Sequence, residues 1–198
     1  PSLMSHLLCH PQLEGLCSFL QLSECPEPLL VRFCGWLLAP SPNLSYTSAA
    51  ILAEQLFLRR VLSLTQPPSR HLMAALAAFC SKYSQPFCHV LVAAVLQAPG
   101  KGAEQTKLVC ELVEECLEPH CVQLVLSQVL EMPLSEKLLP VLQAVLGRQV
   151  RDPHELLLPE LLDRLVLTLC QQAPAFATSL NYAKLVTAIL TVYQSQVS

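Results

Sequence analysis

The sequence predicts an all-α protein built as a stacked array of antiparallel helix pairs, and three observations predict it. A polar-Leu-apolar-x-x-apolar figure recurs at His71–Leu76, Lys107–Leu112, Lys137–Leu142 and Lys184–Ile189, and recurrence of one helical element at loose spacing marks a repeat array. Proline is frequent (16) and glycine scarce (5), which suits short helices stopped and restarted by proline rather than a sheet with glycine turns. No segment alternates apolar and polar residues with a period of two, so no strand is expected.

In chain order, residues 2–22 form one or two short helices divided at His10-Pro11, with Leu13, Leu16, Cys17 and Leu20 at helical spacing. A helix follows over 27–38, with Pro28 in the first turn and an apolar stripe of Leu29, Leu30, Phe33, Trp36 and Leu37. After a loop at 39–43, a longer helix over 46–64 starts at Asn43 or Ser45 and ends before Pro67-Pro68. Helices over 69–81 and 86–96 come next, and Pro99-Gly100-Lys101-Gly102 makes a turn. The central stretch 104–146 holds three helices in close succession, over 103–117, 119–130 and 135–146. Two of the proline-started helices match each other, Pro86-x-Cys88-x-x-Leu91-Val92 and Pro119-x-Cys121-x-x-Leu124-Val125. The last two helices cover 154–170 and 176–197. Connections of a few residues place neighbours as antiparallel hairpins. Each helix is too short and too apolar to stand alone, so stacking must cover its stripe, at roughly 25 cal/mol per Å² removed from water.

The 198 residues suit one domain, 1–198, with a sizeable core, and a chain that starts at Pro1 is expected to be a fragment of a longer protein. Apolar residues make up 53% and charged ones only 14%, well below the roughly 25% usual in soluble domains, so part of the apolar cover is expected from another chain. A net charge of -3 leaves no basic footprint for nucleic acid. The longest uncharged runs are broken by proline and amides, which gives no membrane span. Ten cysteines lie mostly in apolar helical patterns and none forms a C-x-x-C pair, which favours buried, reduced thiols over a disulfide or zinc framework.

No catalytic constellation emerges. The Gly-Lys pair near residue 100 lacks the rest of a phosphate loop and follows a helix instead of a strand. His154-Glu155 begins like a zincin motif, but residue 158 is Leu where the second histidine belongs. Cys88-His89 and His120-Cys121 are adjacent pairs whose side chains diverge by about 100° on a helix, so they read as packing residues. Leu158-Pro159-Glu160-Leu161-Leu162 spells a docking box that also suits a buried helix start, and Asn43-Leu44-Ser45 is a glycosylation sequon of use only in a secreted chain. No cofactor or metal is implied.

Two surfaces stand out as partner-binding candidates. On a helical wheel the final helix carries Tyr182, Leu185, Val186, Ile189, Leu190, Val192, Tyr193 and Val197 over an arc wider than one facing neighbour needs. Later chain or a partner must cover the surplus, and Val186, Ile189, Tyr193 and Val197 are the candidate contacts. Glu104, Glu111, Glu115 and Glu118 fall on one face of a helix, within a stretch (103–136) of seven acids and one base. That face is either simply solvated or, through Glu111, Glu115 and Glu118, a dock for a basic segment. A helical domain that binds a lipid or small apolar ligand in an internal cavity is the alternative to an adaptor.

The proline-started short helices, the run Pro28-Leu29-Leu30-Val31-Arg32-Phe33-Cys34-Gly35-Trp36-Leu37 and the run Lys107-Leu108-Val109-Cys110-Glu111-Leu112-Val113-Glu114-Glu115-Cys116 resemble the C-terminal domain of the Fanconi anaemia complementation group E family. The resemblance spans the whole chain. It implies a right-handed superhelical α-solenoid of HEAT/armadillo type. It further implies a non-enzymatic subunit of the nuclear Fanconi core complex, acting in DNA interstrand crosslink repair. Such a subunit binds the group C subunit and recruits the group D-two protein for ubiquitin attachment, without direct contact to nucleic acid or membrane.

Overall fold

Helix starts follow the side chains that the sequence places at them. In the computed structural model, which describes residues 10–39, 43–98, 102–151 and 157–197, ten helices form and no strand is present among the described residues. α1 is His10–Phe19 and α2 is Glu27–Leu37, with Pro28 in its first turn where no amide hydrogen is needed. α3 runs over 46–62 as Tyr46–Ala53, a π-helical turn Glu54–Leu58 and Arg59–Leu62; Ser45 caps it by accepting from the Ser48 amide at 3.1 Å. α4 is Arg70–Lys82, capped by Ser69 through the Leu72 amide at 3.0 Å. α5 runs over 84–97 as Ser84–Phe87, a second π-helical turn Cys88–Val92 and Ala93–Gln97. α6 is Ala103–Glu115, α7 Pro119–Leu130, α8 Leu139–Arg151, α9 Pro159–Gln172 and α10 Leu180–Val197.

Several expected bounds shift. The helix predicted over 135–146 begins at Leu139, because a proline ring at 140 inside a running helix would clash with the carbonyl of residue 136. Residues 136–138 form a turn instead, and the helix gains its length at the other end. The final helix starts at Leu180 rather than Phe176, after a 3-10 turn at Ala173–Phe176 that contains Pro174. The start predicted at 154 and the turn at 99–101 lie outside the described residues, as do residues 2–9 of the first helix. Neither π turn was expected from the sequence.

The chain divides into two compact units, Pro1–Gln105 and Thr106–Ser198. In the first, α1 packs on α3, α3 on α5, and α2 on α4. In the second, α7 packs on α9 and α8 on α10. Within each unit, then, a helix finds its main neighbour two helices further along, so odd-numbered helices stack on odd and even on even. The recurring figure explains the fit: Leu72 and Leu76, Leu108 and Leu112, Leu138 and Leu142, and Leu185 and Ile189 are all buried, one pair per copy and four residues apart, on one helix face in three copies and with Leu138 just before the start of α8 in the other.

The core of the first unit is aromatic. Phe57 from α3, Phe79 from α4 and Phe87 from α5 are fully buried, with Phe57–Phe79 centroids 5.4 Å apart and edge-on. Long-range polar links close the helix ends around such cores. Arg60 donates to the Cys25 carbonyl at 2.5 Å and the Leu22 carbonyl at 3.2 Å. Gln105 Nε2 donates to the carbonyls of Val61, Leu62 and Leu64 at 2.8–3.3 Å. In the second unit Arg148 Nη1 donates to the carbonyls of Val113, at 2.9 Å, and Leu117. Gln105 and Arg148 satisfy carbonyls at or just beyond a helix end, and Arg60 satisfies those of the connection between α1 and α2.

Gly147 sits exposed within α8 with open space where a Cβ would go. Gly147→Ala is therefore expected to stabilise the fold by about 0.5–1 kcal/mol, by lowering the entropy of the unfolded chain. A urea titration that shows an unchanged or lower midpoint would refute this.

Candidate protein-docking surfaces

α10 carries two apolar stripes, and only one is covered. Leu185, Ile189 and Val192, at intervals of four and three, are buried on the side that meets α8. Tyr182, Val186, Leu190 and Tyr193 form the second stripe, with Val186 36% and Leu190 59% exposed. Together with Val166, Leu169, Cys170 and Ala173, from α9 and the turn after it, this stripe lines a groove of about 410 Å³ with an almost wholly apolar wall. α9 contributes because its own inward stripe, Leu162, Leu165 and Leu169, leaves Val166 and Cys170 on the flank.

Two phenols frame the groove. Tyr182 donates to the Leu169 carbonyl at 2.6 Å and stacks on Phe176 with centroids 5.5 Å apart. Tyr193 reaches Asp163 Oδ1 at 3.5 Å. Burial, with Cys170 nearby, raises the Tyr182 pKa, and burial followed by the Asp163 charge raises that of Tyr193. Both remain neutral donors at physiological pH.

The candidate contacts of the last helix thus separate. Val186 and Tyr193 line the groove with part of their surface open. Ile189 is buried and forms its floor, so it belongs to the internal packing as much as to the surface. The Val197 side chain lies outside the described residues. Leu190 is the most exposed member of the stripe. The groove opens to solvent between helices and is not a sealed chamber.

The acidic candidates Glu111, Glu115 and Glu118 are exposed. Glu115 pairs with Arg151 at 3.4 Å, so this face is not purely anionic, and Glu118 lies 3.4 Å from His120 Nδ1. Exposed pairs of this kind contribute about 0–1 kcal/mol and exchange readily for other partners.

A third surface escaped the sequence reading. Leu29, Phe33 and Trp36 were expected within the buried stripe of α2, yet Leu29 is 53% and Trp36 47% exposed, and Phe33 is half-buried. Leu30, Cys34 and Leu37 form the face that packs on α4. The signal was present: α2 has the same excess of apolar arc over one neighbour's needs that singled out α10. In the L-x-x-L-L box Leu162 is buried, while Leu158 is exposed at the N-cap of α9.

None of the nine described cysteines is in a disulfide, and no group of three metal-ligating side chains occurs among the described residues. Burial pushes Cys34 up to about 12, with Cys25 adding to the shift, and pushes Cys110 up to about 11, with Glu114 adding. Such thiols stay protonated near neutral pH and are poor nucleophiles. Among the described residues no helix is long and apolar enough to cross a membrane.

Comparison with known proteins points one way. The family model of the Fanconi Anaemia group E protein FANCE matches residues 3–198. The human Fanconi anemia group E protein is 45% identical over 192 residues, covering 96% of this chain and 35% of that protein. The chain therefore spans about a third of the length of the curated relative it matches.

Proposed function

The chain belongs to the Fanconi anaemia group E family, and from that premise we propose that it is the non-enzymatic adaptor portion of a nuclear core-complex subunit in DNA interstrand crosslink repair. In this reading it binds the group C subunit and presents the group D-two protein for monoubiquitination. Residues 1–198 act as one helical-repeat domain, a right-handed array of HEAT/armadillo type. The alternation of packing within each unit supports the array, since repeat stacks build their length from such contacts. The observation that carries the docking role is the uncovered second stripe of α10: an apolar groove between two helices is a standard seat for a partner's apolar helix face. The acidic row Glu111, Glu115 and Glu118 supplies a second, polar contact surface.

Val186→Asp and Leu190→Asp test this directly. A carboxylate in the seat is expected to weaken capture of one of the two proposed partners by about 100-fold, or ~3 kcal/mol, while helix content stays unchanged. Charge reversal at Glu111 and Glu115 is expected to affect the other partner. Both proteins captured at wild-type affinity by every variant would discard the assignment. The groove's volume also lies within the range of small-ligand sites, so tight uptake of a fluorescent fatty acid by the purified protein would favour the lipid-binding alternative.

A further inference from the structure

The first unit leaves one rung of its stack open. Its helices pair two places apart, α1 on α3, α2 on α4 and α3 on α5. α2 and α4 run side by side in the same direction. Ser69, at the start of α4, donates to Glu27 at the start of α2. Lys82, at the end of α4, donates to the Leu37 and Ala39 carbonyls at the end of α2, at 3.2 and 2.9 Å. α2 meets α4 through Leu30, Cys34 and Leu37. A second apolar stripe, Leu29, Phe33 and Trp36, lies about 100° round the helix. It stands open to solvent, with Leu29 53% and Trp36 47% exposed, and its two rings lie 6.0 Å apart between centroids.

We propose that this stripe is the seat of the chain's own first segment, residues 3–8, which precedes the described residues. The packing order names that occupant: whatever comes immediately before α1 has α2 as its neighbour two places along. The residue pattern agrees. In Leu3-Met4-Ser5-His6-Leu7-Leu8 the four apolar residues fall on one helical face, and no Asp, Glu, Lys or Arg would have to be buried. Pro11 lies in the first turn of α1, and in one continuous helix its ring would clash with the carbonyl of residue 7. The segment is therefore not an extension of α1, and the chain turns before it. As a helix, residues 3–8 span about 7.5 Å, against about 10.5 Å from Leu29 to Trp36. A helix this short has no stability in water by itself, so its order has to come from the surface it covers. Its direct tether to α1 sets an effective concentration on the order of millimolar, which favours it over a second copy of the chain. The open stripe of α2 is then an internal seam of the array, unlike the groove on α10.

The test strips the segment's apolar face at full chain length with Leu3→Ser and Leu7→Ser together. The chain's one tryptophan, Trp36, reports whether the stripe is covered. In this double variant its emission is expected to move to the red, and acrylamide should quench it more strongly, at every protein concentration. Urea titrations supply a second readout. The double variant combined with Phe33→Ala should depart from additivity by about fivefold in the unfolding constant, as residues in contact do. Combined instead with Leu167→Ala, at an exposed position on α9, it should be additive within about twofold. Unchanged Trp36 emission in the double variant, or additivity with Phe33→Ala, overturns the proposal. So does a wild-type Trp36 signal that moves with protein concentration, which would assign the stripe to a second copy.

Discussion

Phe79→Ala is expected to destabilise the chain by about 4 kcal/mol. The ring is fully buried and meets Phe57 at 5.4 Å, Tyr83 at 5.2 Å and Phe87 at 6.3 Å between centroids, so its removal opens a cavity where α3, α4 and α5 converge. Two costs add: the transfer energy of the lost ring, and the ring–ring contacts, edge-on with Phe57 and tilted with Tyr83 and Phe87, which contribute about 0.5–1.5 kcal/mol each. At this chain length about 4 kcal/mol corresponds to a drop of roughly 8–16 °C in melting temperature. Phe79→Leu keeps most of the volume and should cost less than half as much. A thermal melt within about 3 °C of wild type for Phe79→Ala would show that this cluster does not organise the first unit.

The second large effect belongs to Arg148. Its guanidinium satisfies the carbonyls of Val113 and Leu117, at the closing end of α6. Arg148→Met keeps the packing of the stem and removes the donors, leaving those carbonyls short of a partner. About 3 kcal/mol is expected, since hydrogen bonds to charged groups contribute roughly 1.5–3 kcal/mol and a stranded buried acceptor adds its own penalty. Arg148→Lys should recover only part, because its shorter side chain leaves the ammonium short of the position that Nη1 holds between the two carbonyls. Urea midpoints for the three proteins decide it; equal stability of wild type and Arg148→Met would mean that water serves those carbonyls as well.

Much of this fold was legible because it is written locally. A leucine followed four residues later by leucine or isoleucine marks a buried face, and in all four copies of the figure both residues are buried. Pro28, Pro119 and Pro159 each sit in the first turn of a helix, as the missing amide hydrogen requires. Pro140 could have been read the same way and would have corrected the start of α8.

What was not legible depends on distant partners. The π turns at Glu54–Leu58 and Cys88–Val92 pack near one another and let Phe57 and Phe87 share one cluster, a register choice that neither segment makes alone. Which apolar edge of α2 meets α4 was equally hidden, since Leu29 and Leu30 are chemically alike and only the neighbour distinguishes them. The candidate site lies between these cases. The surplus arc of α10 was visible, but not that Ile189 forms the floor of the groove while Leu190 stands open.

The latches made by Arg60, Gln105 and Arg148 have a consequence for biosynthesis. Each closes carbonyls 35 to 44 residues upstream: Arg60 at Cys25, Gln105 at Val61, Arg148 at Val113. On a ribosome adding about 5–20 residues per second, each of these carbonyls waits several seconds for its latch to be made. During that interval the nascent chain shows frayed ends and oily flanks together, so slowed translation between a helix and its latch should raise its demand for holding chaperones.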